Sequence, residues 1–119
     1  MGEMQDKVCV ITGGAGSVGL ASARALLEAG ARVWLVDRSE EGLRAAAQSL
    51  GAGDRVGWAV ADVGDSAQTQ AYLAGARERW DRPLDFLFCN AGINGAIAPI
   101  AQYPEEVFDA VMRVNVRGA

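Results

Sequence analysis

The sequence predicts an α/β fold built on a parallel sheet, and two observations carry that reading. Short apolar runs alternate with stretches of helical period, β then α, four times over with short links. The apolar runs are continuous rather than alternating, as in strands covered on both faces. A third feature adds a binding hypothesis. The first apolar run, Val8 to Thr12, ends in a glycine-rich turn, Gly13-Gly14-Ala15-Gly16-Ser17-Val18-Gly19, that opens directly onto a helical stretch. The class is a Rossmann-like, doubly wound parallel sheet with strand order 3-2-1-4.

Gly14, Gly16 and Gly19 fit G-x-G-x-x-G in the strand-turn-helix context that gives the spacing meaning. The first glycine permits the tight turn, the second a close backbone approach to a pyrophosphate, and the third removes a Cβ where helix meets strand. The pyrophosphate would sit at the helix N-terminus, where unpaired N–H groups and the dipole favour an anion. A loop that only makes a turn is the plainer alternative.

Taken in order, the first helix runs from Ser17 to about Ala29 and stops at Gly30. The second strand is Arg32–Val36, closed by Asp37. Ser39 caps the next helix, whose buried stripe is Leu43, Ala46, Ala47 and Leu50, and Gly51 ends it. The third strand, about Val56–Ala61, ends at Asp62. Asp65 and Ser66 start a helix with Tyr72, Leu73, Ala76 and Trp80 on its apolar face. The fourth strand is Leu84–Cys89, followed by Asn90-Ala91-Gly92 and a loop of small residues. Pro104 opens a last helix with Phe108, Val111 and Met112 facing inward. Residues 1–7 read as a disordered lead-in, and residues 1–119 as one domain.

Composition narrows the function. With 119 residues, half of them hydrophobic, and a net charge of -4, the chain suits a small globular domain. It shows no basic patch for nucleic acid, no membrane-length apolar run and no signal-peptide pattern, so a cytoplasmic location is expected. There is no histidine, which excludes His-based triads and most zinc sites, and no metal is expected. Cys9 and Cys89 read as buried apolar filler, at different heights on neighbouring strands and hence unpaired.

Three polar residues stand out beyond the loop. Asp37 lies 18 positions after Gly19, where a carboxylate can accept hydrogen bonds from a ribose and repel a 2′-phosphate, favouring NAD over NADP. Arg38 beside it softens that choice, and capping the turn is the alternative role. Asp62 and Val63 stand where an adenine amino group could be met, or where a turn simply needs an aspartate. Asn115 shares a helical face with Phe108, Val111 and Met112, so its amide needs a partner: a structural water, a neighbouring backbone or an active-site water chain.

Together, Thr12 to Gly19, Asp37, Asp62-Val63, Asn90-Ala91-Gly92 and Val114-Asn115-Val116 resemble the short-chain dehydrogenase/reductase superfamily, over the whole chain after the first few residues. The resemblance implies that the glycine loop, Gly13, Gly14, Gly16, Ser17, Val18 and Gly19, holds the pyrophosphate of NAD. Asp37 and Arg38 would meet the ribose, and Asp62 and Val63 the adenine. Asn90, Ala91 and Gly92 would border the cofactor, and Asn115 would hold a water in a proton relay. The commonest family loop, T-G-x-x-x-G-x-G, has glycine where this chain has Ser17, and Cys89 replaces the first asparagine of N-N-A-G. The family's catalytic serine and Tyr-x-x-x-Lys pair find no counterpart, since neither Tyr72 nor Tyr103 has a lysine four residues on. The expectation is therefore the cofactor-binding half of an oxidoreductase, truncated before the later strands and inactive alone. An exposed, apolar fourth strand would favour a homo-oligomer. A non-catalytic dinucleotide-binding or assembly module remains open, and less so an S-adenosylmethionine-dependent methyltransferase.

Overall fold

A computed structural model describes residues 2–119. Four strands, β1 (Val8–Thr12), β2 (Arg32–Asp37), β3 (Val56–Val60) and β4 (Phe86–Phe88), form one parallel sheet in the order β3-β2-β1-β4. Between them run α1 (Ser17–Glu28), α2 (Glu40–Leu50) and α3 (Ser66–Trp80); α4 (Glu105–Val111) follows β4.

The continuous apolar strands have the reason the sequence suggested. Side chains of β1 and β2 alternate between two cores. Ile11, Val33 and Leu35 pack with Ala23, Leu27, Leu43 and Ala46 of α1 and α2. Val10, Trp34 and Val36 pack on the other face with Tyr72 and Ala76 of α3 and with Val114. Trp34 needs space there, and glycine supplies it: a Cβ on Gly57, its register partner in β3, would lie 2.5 Å from the indole.

The helix ends behave as their sequences indicate. The Ser39 hydroxyl accepts the Gly42 N–H, and Gly51 closes α2 in the left-handed region at φ 60°. Asp65 caps α3 through the Ala67 and Gln68 N–H groups.

Four expectations need correction. Residues 2–7 are not a loose lead-in: the Met4 and Asp6 N–H groups donate to Ala29 and Gly30 carbonyls at the end of α1 (Met1 lies outside the described residues). The fourth strand is shorter than Leu84–Cys89. Its paired residues are Phe86–Phe88: the Asp85 carboxylate accepts the Val8 N–H at 2.9 Å while the Asp85 N–H donates to the Val8 carbonyl, and Asn90 turns toward Thr12. Cys89 is exposed rather than buried filler, because β4 is paired on one edge only; Cys9 is buried and both thiols are free. The last helix does not bury Phe108 and Met112, which are 54% and 42% exposed; Val114 is its buried residue. At Met112 the helix widens into a π turn, Met112–Arg117, which rotates later side chains away from a regular stripe.

Candidate functional site

The C-terminal ends of the strands carry the site, as expected for an open parallel sheet. The turn after β1 owes its shape to Gly13, at φ 69°, rather than to Gly14. Gly14 is glycine because Leu35 of β2 occupies the space: a Cβ there would lie 2.8 Å from the Leu35 Cβ. Gly19 lets α1 approach the turn, since its Cβ would run into the Gly13 carbonyl oxygen. Gly16 differs. It caps α1 with extended backbone and no side-chain hydrogen bond, and its missing Cβ would meet only the Gly13 oxygen at 3.5 Å. Gly16, Ser17 and Val18 are exposed, so the first free N–H groups of α1 face open space.

Thr12 ties the loop to the fourth strand. It is 2% exposed, donates to the Phe88 carbonyl at 3.4 Å, and accepts the Asn90 and Ala91 N–H groups at 3.0 and 3.1 Å. Asn90 Nδ2 reaches back to the Gly13 carbonyl at 3.4 Å. A polar residue closing an apolar strand was the available signal for Thr12; Asn90 and Ala91 were expected here.

Asp37 ends β2 with its carboxylate already engaged. Oδ2 accepts the Ala15 N–H at 3.0 Å, while Oδ1 accepts those of Arg38 at 2.7 Å and Ser39 at 3.4 Å. The turn-capping role is therefore real. A carboxylate offers about four acceptor positions, so capacity for a ligand hydroxyl remains. Asp62 is more committed. Oδ1 accepts the Gly64 N–H at 2.9 Å, and Oδ2 pairs with Arg113 Nη1 at 2.6 Å. The Gly64 amide first, then the guanidinium, holds its carboxyl below the usual carboxylate value.

Between these groups lies a cleft of about 70 Å³ lined by Gly13, Val36, Asp37, Arg38, Ala61, Val63, Ala91, Gly92 and Val114. Six of the nine were expected from the sequence. Val36, Ala61 and Val114 were not, because strand and helix ends carry no mark of which groove they border. Gly16, Ser17 and Val18 lie outside its lining, at the start of α1; Gly14 and Gly19 are buried beneath the loop.

Asn115 does not lie on a buried stripe; it is exposed on the π turn. Its amide nevertheless has partners, and they are backbone. Oδ1 accepts the Ile93 N–H at 2.8 Å and Nδ2 donates to the Ile93 carbonyl at 2.9 Å. Sequence reasoning missed Ile93 and Arg113, whose partners are 22 and 51 residues away.

A glycine turn, an uncapped helix N-terminus and an acid closing the second strand define a dinucleotide-binding type of α/β site. The chain matches the short chain dehydrogenase family over residues 7–119 and belongs to it. It is 41% identical to levodione reductase of Leifsonia aquatica over 116 residues, which is 95% of this chain and 43% of that protein. Among solved structures, NAD+-bound xylitol dehydrogenase superimposes with a TM-score of 0.92 at 35% identity, covering 98% of this chain and 45% of that one. The NADH complex of 3-ketoacyl-(acyl-carrier-protein) reductase from Brucella melitensis gives 0.90 at 31% identity, covering 98% and 47%. The chain thus spans less than half the length of these relatives. No helix among the described residues is long and apolar enough to cross a membrane.

Proposed function

We propose that this chain is the NAD(H)-binding part of an oxidoreductase that exchanges hydride with a secondary alcohol or ketone. The carrying observation is the uncapped start of α1, with no Cβ at Gly16, beside a cleft whose rim bears Asp37. These residues fit a dinucleotide. The free N–H groups around Gly16, Ser17 and Val18 would hold the pyrophosphate, assisted by the helix dipole. The remaining acceptor capacity of Asp37 would take ribose hydroxyls and repel a 2′-phosphate, so NAD is preferred over NADP; Arg38 moderates that preference. Val63 with Ala61 and Val114 offers apolar walls for adenine beside Asp62, and Asn90, Ala91 and Gly92 border the cofactor. Asn115 would support a water in the proton relay. When bound, the dinucleotide supplies the redox chemistry, and these residues supply binding and orientation.

The same reading holds that the chain alone lacks normal turnover. Its tyrosines have other duties: Tyr72 is 4% exposed on the buried face of α3, and the Tyr103 hydroxyl accepts the Ala96 N–H at 2.9 Å. Without a positioned acid/base, roughly 10²–10⁴-fold of rate is forfeit. The exposed apolar β4 edge supports a homo-oligomer, and two free cysteines suit the cytoplasm. Family membership argues against a methyltransferase.

Titration with NADH and NADPH, read by energy transfer from tryptophan, tests the reading. Saturable binding that prefers NADH, with the preference relaxed in Asp37→Ser, is expected. No binding by a chain that circular dichroism shows folded would overturn it. Binding without turnover when the missing catalytic residues are supplied by a longer relative would favour a non-catalytic module.

A further inference from the structure

The cleft has two walls that come from different loops. Asp62, Val63 and Gly64 follow β3; Ala91, Gly92 and Ile93 follow β4. Among the described residues no hydrogen bond joins one wall directly to the other. Both are instead held by residues two apart on the π turn. Arg113 Nη1 pairs with Asp62 Oδ2 at 2.6 Å, and the Arg113 stem lies over Gly64, where a Cβ would be 2.8 Å from Arg113 Cγ. Asn115 makes its two-bond pairing with the Ile93 backbone and lies 3.3 Å from where a Gly92 Cβ would be. Val114, 4% exposed, sits between them, packs with Val63 and lines the cleft. Gly118 closes the contact, its Cβ position being 2.7 Å from Val63 Cγ2.

The geometry suits this division, because residues two apart on a helical turn project to nearly opposite sides, 113 and 115 here with 114 between. The Asp62–Arg113 pair is partly open to solvent, with side chains 25% and 41% exposed, so it adds little to stability. Its consequence is placement.

We propose that Arg113, Val114 and Asn115 form a clamp that sets the separation of the cleft walls, and that Arg113 is a positioning residue for the adenosine end of a bound dinucleotide. The second half of this statement rests on the cofactor reading above; the clamp itself does not. Arg113 acts by aiming Asp62 and seating Gly64 while its own helix is anchored to Ile93. A disturbance at one wall is thereby transmitted to the other.

The test uses Arg113→Met, which keeps the stem over Gly64, with Arg113→Lys, Asp62→Asn and the Arg113→Met/Asp62→Asn double variant. The first readout needs no ligand: amide exchange at Ile93 and Gly64. In Arg113→Met, exchange at Ile93 should speed up about fivefold or more even though Arg113 does not touch it. Unchanged Ile93 exchange in a folded Arg113→Met chain overturns the clamp. The second readout compares ADP-ribose with inorganic pyrophosphate. Arg113→Met should weaken ADP-ribose about five- to tenfold, the span of a contact-pair coupling, and leave pyrophosphate unchanged. Lysine should restore most of the loss, and the double variant should be no worse than Arg113→Met. Equal losses for both ligands, or no loss for either, overturn the positioning role. If the parent chain binds neither NADH nor ADP-ribose, the cofactor reading fails, while the exchange data still decide the clamp.

Discussion

Strands β1 and β4 are neighbours of similar composition with opposite surroundings. Val8, Val10 and Ile11 are fully buried, whereas Phe86, Leu87 and Phe88 are 58%, 48% and 40% exposed. The difference is not in the side chains, since β4 is if anything the more hydrophobic. β1 has a strand on each edge and helices on both faces; β4 has one paired edge. Burial is a property of place in the sheet. The glycine loop stands on the well-supported side of this contrast, while the cleft wall of Ala91, Gly92 and Ile93 and the helix bearing Asn115 stand on the thinly supported side.

The contrast is broken most directly by truncation. Leu35→Ala, at a fully buried side chain of β2, should cost about 2–5 kcal/mol in denaturant unfolding, because a packed cavity remains. Leu87→Ala should cost under about 1 kcal/mol. Similar costs would show that β4 is as enclosed as the interior strand β2.

The loop divides the same way. Gly19→Ala should lower stability by about 1–3 kcal/mol, since its Cβ meets Gly13 backbone that cannot move aside cheaply. Gly16→Ala should stay within about 0.5 kcal/mol, its Cβ making only an ordinary contact, yet should weaken NADH binding by crowding the open face.

Thiol labelling sharpens the comparison residue by residue. Cys89 should react in the native state and Cys9 only on unfolding. Burial first, then the nearby Asp85 charge, pushes the Cys9 thiol from 9.0 up to about 11. Stability tied to that neutral thiol is whole below pH 9.0 and is lost as pH rises toward 11, which Cys9→Ser should blunt.

The smallest effect concerns Asp62. Its folded value lies below the ordinary 3.8, so its contribution is present above that pH and disappears as pH falls through the folded value. Thermal unfolding of the parent and Asp62→Asn chains should differ slightly at neutral pH and converge below about pH 4. Curves that remain parallel would remove the carboxylate from the account.

The strand and helix segments, the helix caps and the glycine turn were legible because each rests on local chemistry. Ser39 and Asp65 cap by short-range hydrogen bonds, and the period of the apolar residues identifies the buried faces. Other features were legible only in part. Asn115 was noticed as an amide needing a partner, but its partner and its exposed position depend on the π turn. The glycine spacing identified the loop but gave the tight turn to Gly14 where the structure gives it to Gly13, because the obstruction at Gly14 is a leucine from another strand.

By itself, then, the sequence determined which segments become strands and helices, which faces of α2 and α3 turn inward, and where a glycine turn opens onto a helix. Those properties follow from period, capping and glycine spacing within a few residues of chain. Tertiary structure alone decided that Cys89 stays exposed, that Thr12 fastens two strand ends, and that Arg113 and Asn115 grip opposite walls of one cleft. Such contacts join residues 22 to 79 positions apart. No local pattern encodes them, because they exist only once the sheet has ordered its strands and brought its loops to one edge.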